Sequence, residues 1–151
     1  MRIFSNISEL KAAQGTHLGF TDWRPVTQEQ VNLFADATGD HQWIHIDAER
    51  AAQGPFGGTI AHGFLSLSML PALMSELIRV EGLAMGINYG LNKVRFPAPV
   101  PVGARIRAGG EIAELTDTAQ GVLGTLKMVI EVEGVAKPAC AAEQLVLYIP
   151  A

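Results

Sequence analysis

The stretch Thr38-Gly39-Asp40-His41-Gln42-Trp43-Ile44-His45-Ile46-Asp47 is the densest polar cluster of the chain, and it sets a carboxylate, Asp40, five residues before an imidazole, His45. The two groups can exchange a proton near neutral pH. Converging across a loop on one water molecule, they are the equipment for adding water to a substrate or removing it. The same residues admit a structural use, with Asp40 capping the loop and His45 packed against a hydrogen-bond partner. A metal site is the chemical rival, because His41 and His45 stand four apart and His62 offers a third ligand. Gly39 argues against a helix running through the segment, and no Cys or Glu completes the set, so no metal is expected.

A second constellation follows in Gly57-Gly58-Thr59-Ile60-Ala61-His62-Gly63. Free amides and the positive end of a helix dipole can hold a developing oxyanion there, and Gly63 lets a substrate approach the backbone without a Cβ in the way. The alternative is a tight turn with no ligand.

These residues need elements to position them. Thr27-Gln28-Glu29-Gln30 fits a capping box, with the Thr27 hydroxyl on the Gln30 amide and the Gln30 side chain reaching back. Val31, Phe34, Ala35 and Thr38 then lie at helical spacing, and Gly39 is the stop. Asp47 can cap a second short helix over residues 48–53, ended by Gly54 and Pro55. Residues 61–80 form the longest helical candidate. Its first half is apolar on nearly all sides, which predicts a buried helix, and Pro71 predicts a bend or an interruption. After Gly82 the pattern is strand: Met85, Ile87, Tyr89 and Leu91 alternate, and residues 105–113, 121–132 and 139–149 are further strands. Turn signals separate them at residues 97–103, Thr116-Asp117 and Glu133-Gly134. The plan is α+β, a single domain over residues 1–151 with an antiparallel sheet wrapped over one long helix.

Composition narrows the classes. The chain has 151 residues, 48% hydrophobic and 17% charged, enough for a sizeable core without disulfides or metal staples. The low charged fraction points to apolar surface hidden by self-association. A net charge of −4 argues against nucleic acid as partner, yet residues 82–110 contain no Asp or Glu and hold Lys93, Arg95, Arg105 and Arg107. A local cationic stretch of that kind suits a small phosphorylated ligand. Cys140 stands alone among alanines, which reads as an inert core thiol in a reducing, cytoplasmic setting. Residues 1–14 have no apolar core long enough for a signal sequence, and residues 60–74 are too short and too interrupted to span a bilayer.

At this point the residues carry a resemblance. Gly39-Asp40-His41-Gln42-Trp43-Ile44-His45-Ile46-Asp47 and Gly54-Pro55-Phe56-Gly57-Gly58-Thr59-Ile60-Ala61-His62-Gly63 resemble the paired motifs of the MaoC-like dehydratases, the (R)-specific enoyl-CoA hydratases. Asn88-Tyr89-Gly90-Leu91-Asn92-Lys93-Val94-Arg95-Phe96-Pro97-Ala98-Pro99-Val100 is similar to the family's single-domain 3-hydroxyacyl-thioester dehydratases. Gln42 and Trp43 replace the family's usual Asn and Pro, while Asp40 and His45 stay in register.

The resemblance implies a hot-dog fold, a homodimer whose two sheets join, and reversible syn hydration of a trans-2-enoyl thioester to the (R)-3-hydroxyacyl thioester. The substrate would be an acyl-CoA or acyl-carrier thioester, with no cofactor. Asp40 and His45 would hold and deprotonate the water and protonate C2, and the Gly63 amide would hold the thioester oxygen. Ser66 or Ser68 could orient Asp40, or bond its own helix backbone instead. Phe96 matches a position near the substrate, and Lys93, Arg95, Arg105 and Arg107 are candidates for coenzyme A phosphates. Two rivals stand beside this reading: a hot-dog acyl-CoA thioesterase, and a non-catalytic acyl-thioester-binding subunit.

Overall fold

The computed structural model describes residues 1–151. Elements run in the order β1 (Arg2–Phe4), α1 (Ile7–Ala12), β2 (His17–Phe20), β3 (Arg24–Pro25), α2 (Gln28–Thr38), α3 (Trp43–Ile46), α4 (Ala48–Ala52), α5 (Gly63–Leu77), β4 (Ile78–Val80), β5 (Leu83–Arg95), β6 (Arg105–Asp117), β7 (Val122–Val132) and β8 (Cys140–Pro150). Six strands make one antiparallel sheet in the order β2-β6-β7-β8-β5, with β3 also paired to β6. A sheet laid over one principal helix is the α+β arrangement expected from the strand-rich second half of the chain.

Alternation decides which face is inside. Along β7 the buried positions are Val122, Gly124, Leu126, Met128, Ile130 and Val132, every second residue, as a half-buried strand requires. From α5 the buried side chains are Ser66, Leu70, Leu73 and Leu77, a single stripe at helical spacing. The apolar members of that stripe share one core with Ile106 and Ile112 of β6 and with Leu126, Met128 and Ile130 of β7.

Three expectations change here. Helix α5 is not buried all round: Phe64 is 67% exposed, and Leu65, Leu67, Met69 and Met74 are half-buried, so the sheet covers one stripe and leaves an apolar flank open. Pro71 does not interrupt the helix, which is continuous from Gly63 to Leu77. Proline has no amide to give to the Leu67 carbonyl, and Pro71 itself stands on the exposed side of the helix. The helix also ends three residues early. Ile78-Arg79-Val80 leaves it as β4 and pairs in parallel with β1, Arg2 opposite Ile78 and Phe4 opposite Val80. A distant strand, together with two β-branched residues, overrides local helical periodicity.

The first 25 residues also hold structure that periodicity did not reveal. Asn6 caps α1 by accepting from the Glu9 amide at 2.9 Å, and the Glu9 carboxylate accepts from the Ser5 amide at 2.8 Å. The short β2 and β3 lie along β6, too brief to show an alternation of their own.

Candidate active site

Helix α2 begins with the capping box as read: the Gln30 amide donates to the Thr27 hydroxyl at 3.2 Å and the Thr27 amide to the Gln30 side chain at 3.0 Å. It ends at Gly39, whose φ of 78° lies in the left-handed region and whose amide donates to the Ala35 carbonyl at 2.8 Å. The chain therefore turns sharply just before Asp40. One turn of helix, α3, then brings in His45, and Asp47 caps α4 by accepting from the Arg50 amide at 3.0 Å.

Residues 59–61 hold this turn in place. The Ile60 amide donates to the Ile44 carbonyl at 3.0 Å, and the Ala61 amide donates to the Val100 carbonyl at 2.8 Å. The Ile60 carbonyl accepts from His45 Nδ1 at 2.7 Å. A carbonyl can only accept, so the His45 proton sits on Nδ1 and Nε2 keeps a free lone pair. His45 is 6% exposed, and burial pushes its imidazole below the ordinary histidine range; the Ile60 hydrogen bond opposes this and the neighbouring His62 adds to it. At neutral pH the ring is uncharged and ready to accept a proton.

Asp40 lies exposed at the lip of the site. Ligand atoms of Asp40, His45 and His62 lie within 4.8 Å of one another. His62, a possible third metal ligand on sequence grounds, has a different place. It is 2% exposed, stacks on His45 with ring centroids 3.8 Å apart and planes 25° from parallel, and donates from Nε2 to the Asp40 carbonyl at 3.0 Å. It thus binds the backbone of one candidate residue and the ring of the other. Such stacking opposes a shared metal, because imidazole lone pairs lie in the ring plane and two nearly parallel planes do not meet within the roughly 2 Å of a metal–nitrogen bond. His41 stays outside the cluster, with Nε2 2.9 Å from the Asp36 carboxylate, which raises its pKa.

Helix α5 starts beside this pair. No side chain caps its N-terminus; the Leu65 amide turns back to the His62 carbonyl at 3.1 Å, and the Gly63 and Phe64 amides remain available as donors. The space a Cβ on Gly63 would take is already occupied: it would stand 3.0 Å from the Phe96 ring. Gly63 therefore permits close approach by Phe96 itself, an aromatic that is 40% exposed and tilts edge-on toward Phe64. A cavity of about 320 Å³, mostly apolar, is lined by His45, Ile60, Gly63, Ser66, Phe96 and Val100 among others. Imidazole, helix amide and aromatic wall share one recess.

Not every candidate gathers there. Ser66 is buried and lines the recess, whereas Ser68 is exposed and donates its hydroxyl proton to the Phe64 carbonyl at 2.7 Å, the backbone use weighed from the sequence. The cationic stretch also comes apart. Arg105 forms a two-pronged pair with Glu133, and Arg107 pairs with Glu131 at 2.7 Å while lying over the rings of Phe20 and Trp23. The acids come from the adjacent strand β7 and the turn just after it, so a count along the chain saw only the bases. Lys93 and Arg95 are freer: Lys93 stands 4.0 Å from Glu143, and Arg95 donates only to the neighbouring Val94 carbonyl.

One contributor was missed. Gln28 donates from Nε2 to the His45 carbonyl at 2.7 Å and accepts from the Thr59 hydroxyl at 2.6 Å. It ties α2 to both segments that carry the site. Its partners lie 17 and 31 residues away, and nothing in the local sequence marks it beyond its place in the capping box.

Comparison with known proteins follows this geometry. Residues 9–133 match a family model described as MaoC like domain. The 3-hydroxyacyl-thioester dehydratase Z of Mycobacterium tuberculosis is 57% identical over 150 residues, covering 99% of each chain. Nodulation protein N of Rhizobium leguminosarum bv. viciae is 41% identical over 145 residues, 94% of this chain and 90% of that one. Among solved structures, an (R)-hydratase from A. caviae involved in PHA biosynthesis matches with a TM-score of 0.74 at 25% identity, covering 89% of this chain and 95% of the other.

Proposed function

The chain belongs to the MaoC-like domain family, and from that premise we propose that Asp40 and His45 are the proton-transfer pair of its hydro-lyase reaction. The enzyme is a 3-hydroxyacyl-thioester dehydratase of the hot-dog fold, which adds water reversibly to an enoyl thioester. Water attacking C3 of a conjugated trans-2-enoyl thioester drives charge onto the thioester oxygen. Such a reaction needs a base for the water, a proton for C2 and donors for the oxyanion. His45 Nε2 accepts the proton from water, Asp40 holds that water, and the pair returns a proton to C2 on the same face, giving the (R)-3-hydroxyacyl thioester. The Gly63 amide, at the dipole end of α5, donates to the oxygen, a contact worth about 3 kcal/mol where geometry is good. No further cofactor is needed, since base, acid and oxyanion donor all come from the chain.

The observation that carries this reading is the setting of His45: its Nδ1–H is held by the Ile60 carbonyl, which leaves Nε2 as the base, and the ring clusters with Asp40 beside the uncapped start of α5. Hydration of crotonyl-CoA, followed by loss of enoyl absorbance with chiral analysis of the product, is the test. Asp40→Asn and His45→Gln are expected to remain folded and to lose at least about a hundredfold in rate. Near-normal turnover in both would overturn the assignment. Thiol release without hydration would favour a thioesterase, and absence of both would favour a binding subunit.

The exposed apolar residues of the edge strand β5, among them Met85, Ile87, Tyr89 and Leu91, support a homodimer formed by two such edges. Lys93 lies at the far end of that strand, with Arg95 beside it. These two are our candidates for the coenzyme A phosphates, in place of the paired Arg105 and Arg107. No helix is long and apolar enough to cross a membrane. The single buried thiol suits a reducing compartment such as the cytoplasm.

A further inference from the structure

A second cavity, of about 290 Å³, lies along the same helix, between Leu67, Leu70 and Pro71 of α5 and Asn88 and Leu91 of β5. Gln144 of β8 also lines it. That side chain is 2% exposed, and its Oε1 has no hydrogen-bond partner. The other alternate positions of β8 that face inward carry Cys140, Ala142, Val146 and Tyr148, so a glutamine is out of keeping with its row. A buried amide without a partner is destabilising, and an apolar residue of similar volume would avoid that cost. Ser68 and Asn88 add polar groups to the same space, and the Ser68 oxygen can still accept after giving its proton to Phe64.

Both cavities are lined by successive residues of α5. The first includes Gly63 and Ser66 of α5 with Phe96; the second takes up at Leu67 and faces β5, the strand that leads to Phe96. From Gly63 to Leu70 the helix rises about 10 Å. An acyl chain whose thioester oxygen meets the Gly63 amide and which follows α5 brings its far end to Gln144.

We infer that the preferred substrate carries a hydroxyl toward the distal end of a medium-length acyl chain, and that Gln144 selects for it by hydrogen bonding. This rests on the thioester hydration proposed above. A hydroxyl can donate to Gln144 Oε1, whereas a plain alkyl chain leaves that oxygen buried and unpaired.

The experiment compares kcat/KM for octenoyl-CoA and ω-hydroxyoctenoyl-CoA, with hexenoyl and decenoyl pairs to bracket the length, in the wild type and in Gln144→Leu. The wild type is expected to favour the hydroxylated member by about tenfold at the best length, one hydrogen bond's worth, and Gln144→Leu to abolish or reverse that ratio. Crotonyl-CoA, too short to reach Gln144, is expected to turn over equally in both. Failure of crotonyl hydration in the wild type would sink the underlying reaction. Normal crotonyl hydration with a wild-type preference for plain chains at every length would overturn only the present inference. A Gln144→Leu protein that keeps the wild-type ratio but dissociates into monomers would overturn it as well, assigning Gln144 to the partner subunit.

Discussion

His45 works because two neighbours spend its other options. The Ile60 carbonyl fixes the proton on Nδ1, and the stacked His62 together with burial resists a second proton. The folded imidazole therefore protonates below the ordinary value of 6.5, while the unfolded chain protonates at it. Between those points the unfolded state binds more protons, so this residue's contribution to stability is complete above 6.5 and declines as pH falls through the lowered value. The same titration governs rate. Hydration should hold steady from neutral pH down past 6.5 and then fall on an acid limb set by His45; denaturant midpoints measured across that range should fall in the wild type and stay flatter in His45→Gln. A rate already halved at pH 6.5 or above would contradict this. Residue type and spacing alone put Asp40 and His45 forward as a pair, with a structural use open beside the chemical one. The positions of His62 and Gln28 were not legible, because what matters about each is a bond to a backbone carbonyl 22 or 17 residues distant.

Between elements, the decisive contacts are few. The Gln28 side chain hydrogen-bonds from the start of α2 to both α3 and Thr59, giving to one and accepting from the other. Gln28→Leu keeps the volume and loses these two bonds as well as the one Nε2 gives to the Asn32 side chain at 2.9 Å, leaving the His45 carbonyl and the Thr59 hydroxyl to find other partners. The rate of crotonyl-CoA hydration is expected to drop about tenfold, with KM less affected, because the loop bearing His45 loses its anchor and the recess stays intact. An unchanged rate would show that Ile60 holds the loop alone. The elements themselves were read unevenly. The capping box, the Gly39 stop and the four long strands carry their signals locally. The end of α5 and the pairing of Arg105 and Arg107 do not, since β1 and the acids Glu133 and Glu131 enter only when the chain folds.

At the scale of the molecule, the sheet is unfinished on the β5 side, where Tyr89 is 63% and Met85 53% exposed. A second copy pairing edge to edge would cover that strand and the open flank of α5 together. Sedimentation should give twice the chain mass of 16.1 kDa, and Ile87→Glu combined with Tyr89→Glu should give monomers with much reduced activity. A monomeric wild type would remove the second copy from the argument. The low charged fraction had pointed to hidden surface, but no sequence feature says where; the exposed row appears only once β5 is known to be the last strand. One interior feature bears on how such assembly can be followed. Cys140 is fully enclosed in the core, and burial lifts its thiol to about 11. The native protein is therefore silent toward thiol-trapping reagents, so free coenzyme A can be titrated in its presence without background. A single cysteine placed on β5 would then report, by cross-link or fluorophore, on the meeting of two chains with no need to remove the natural one.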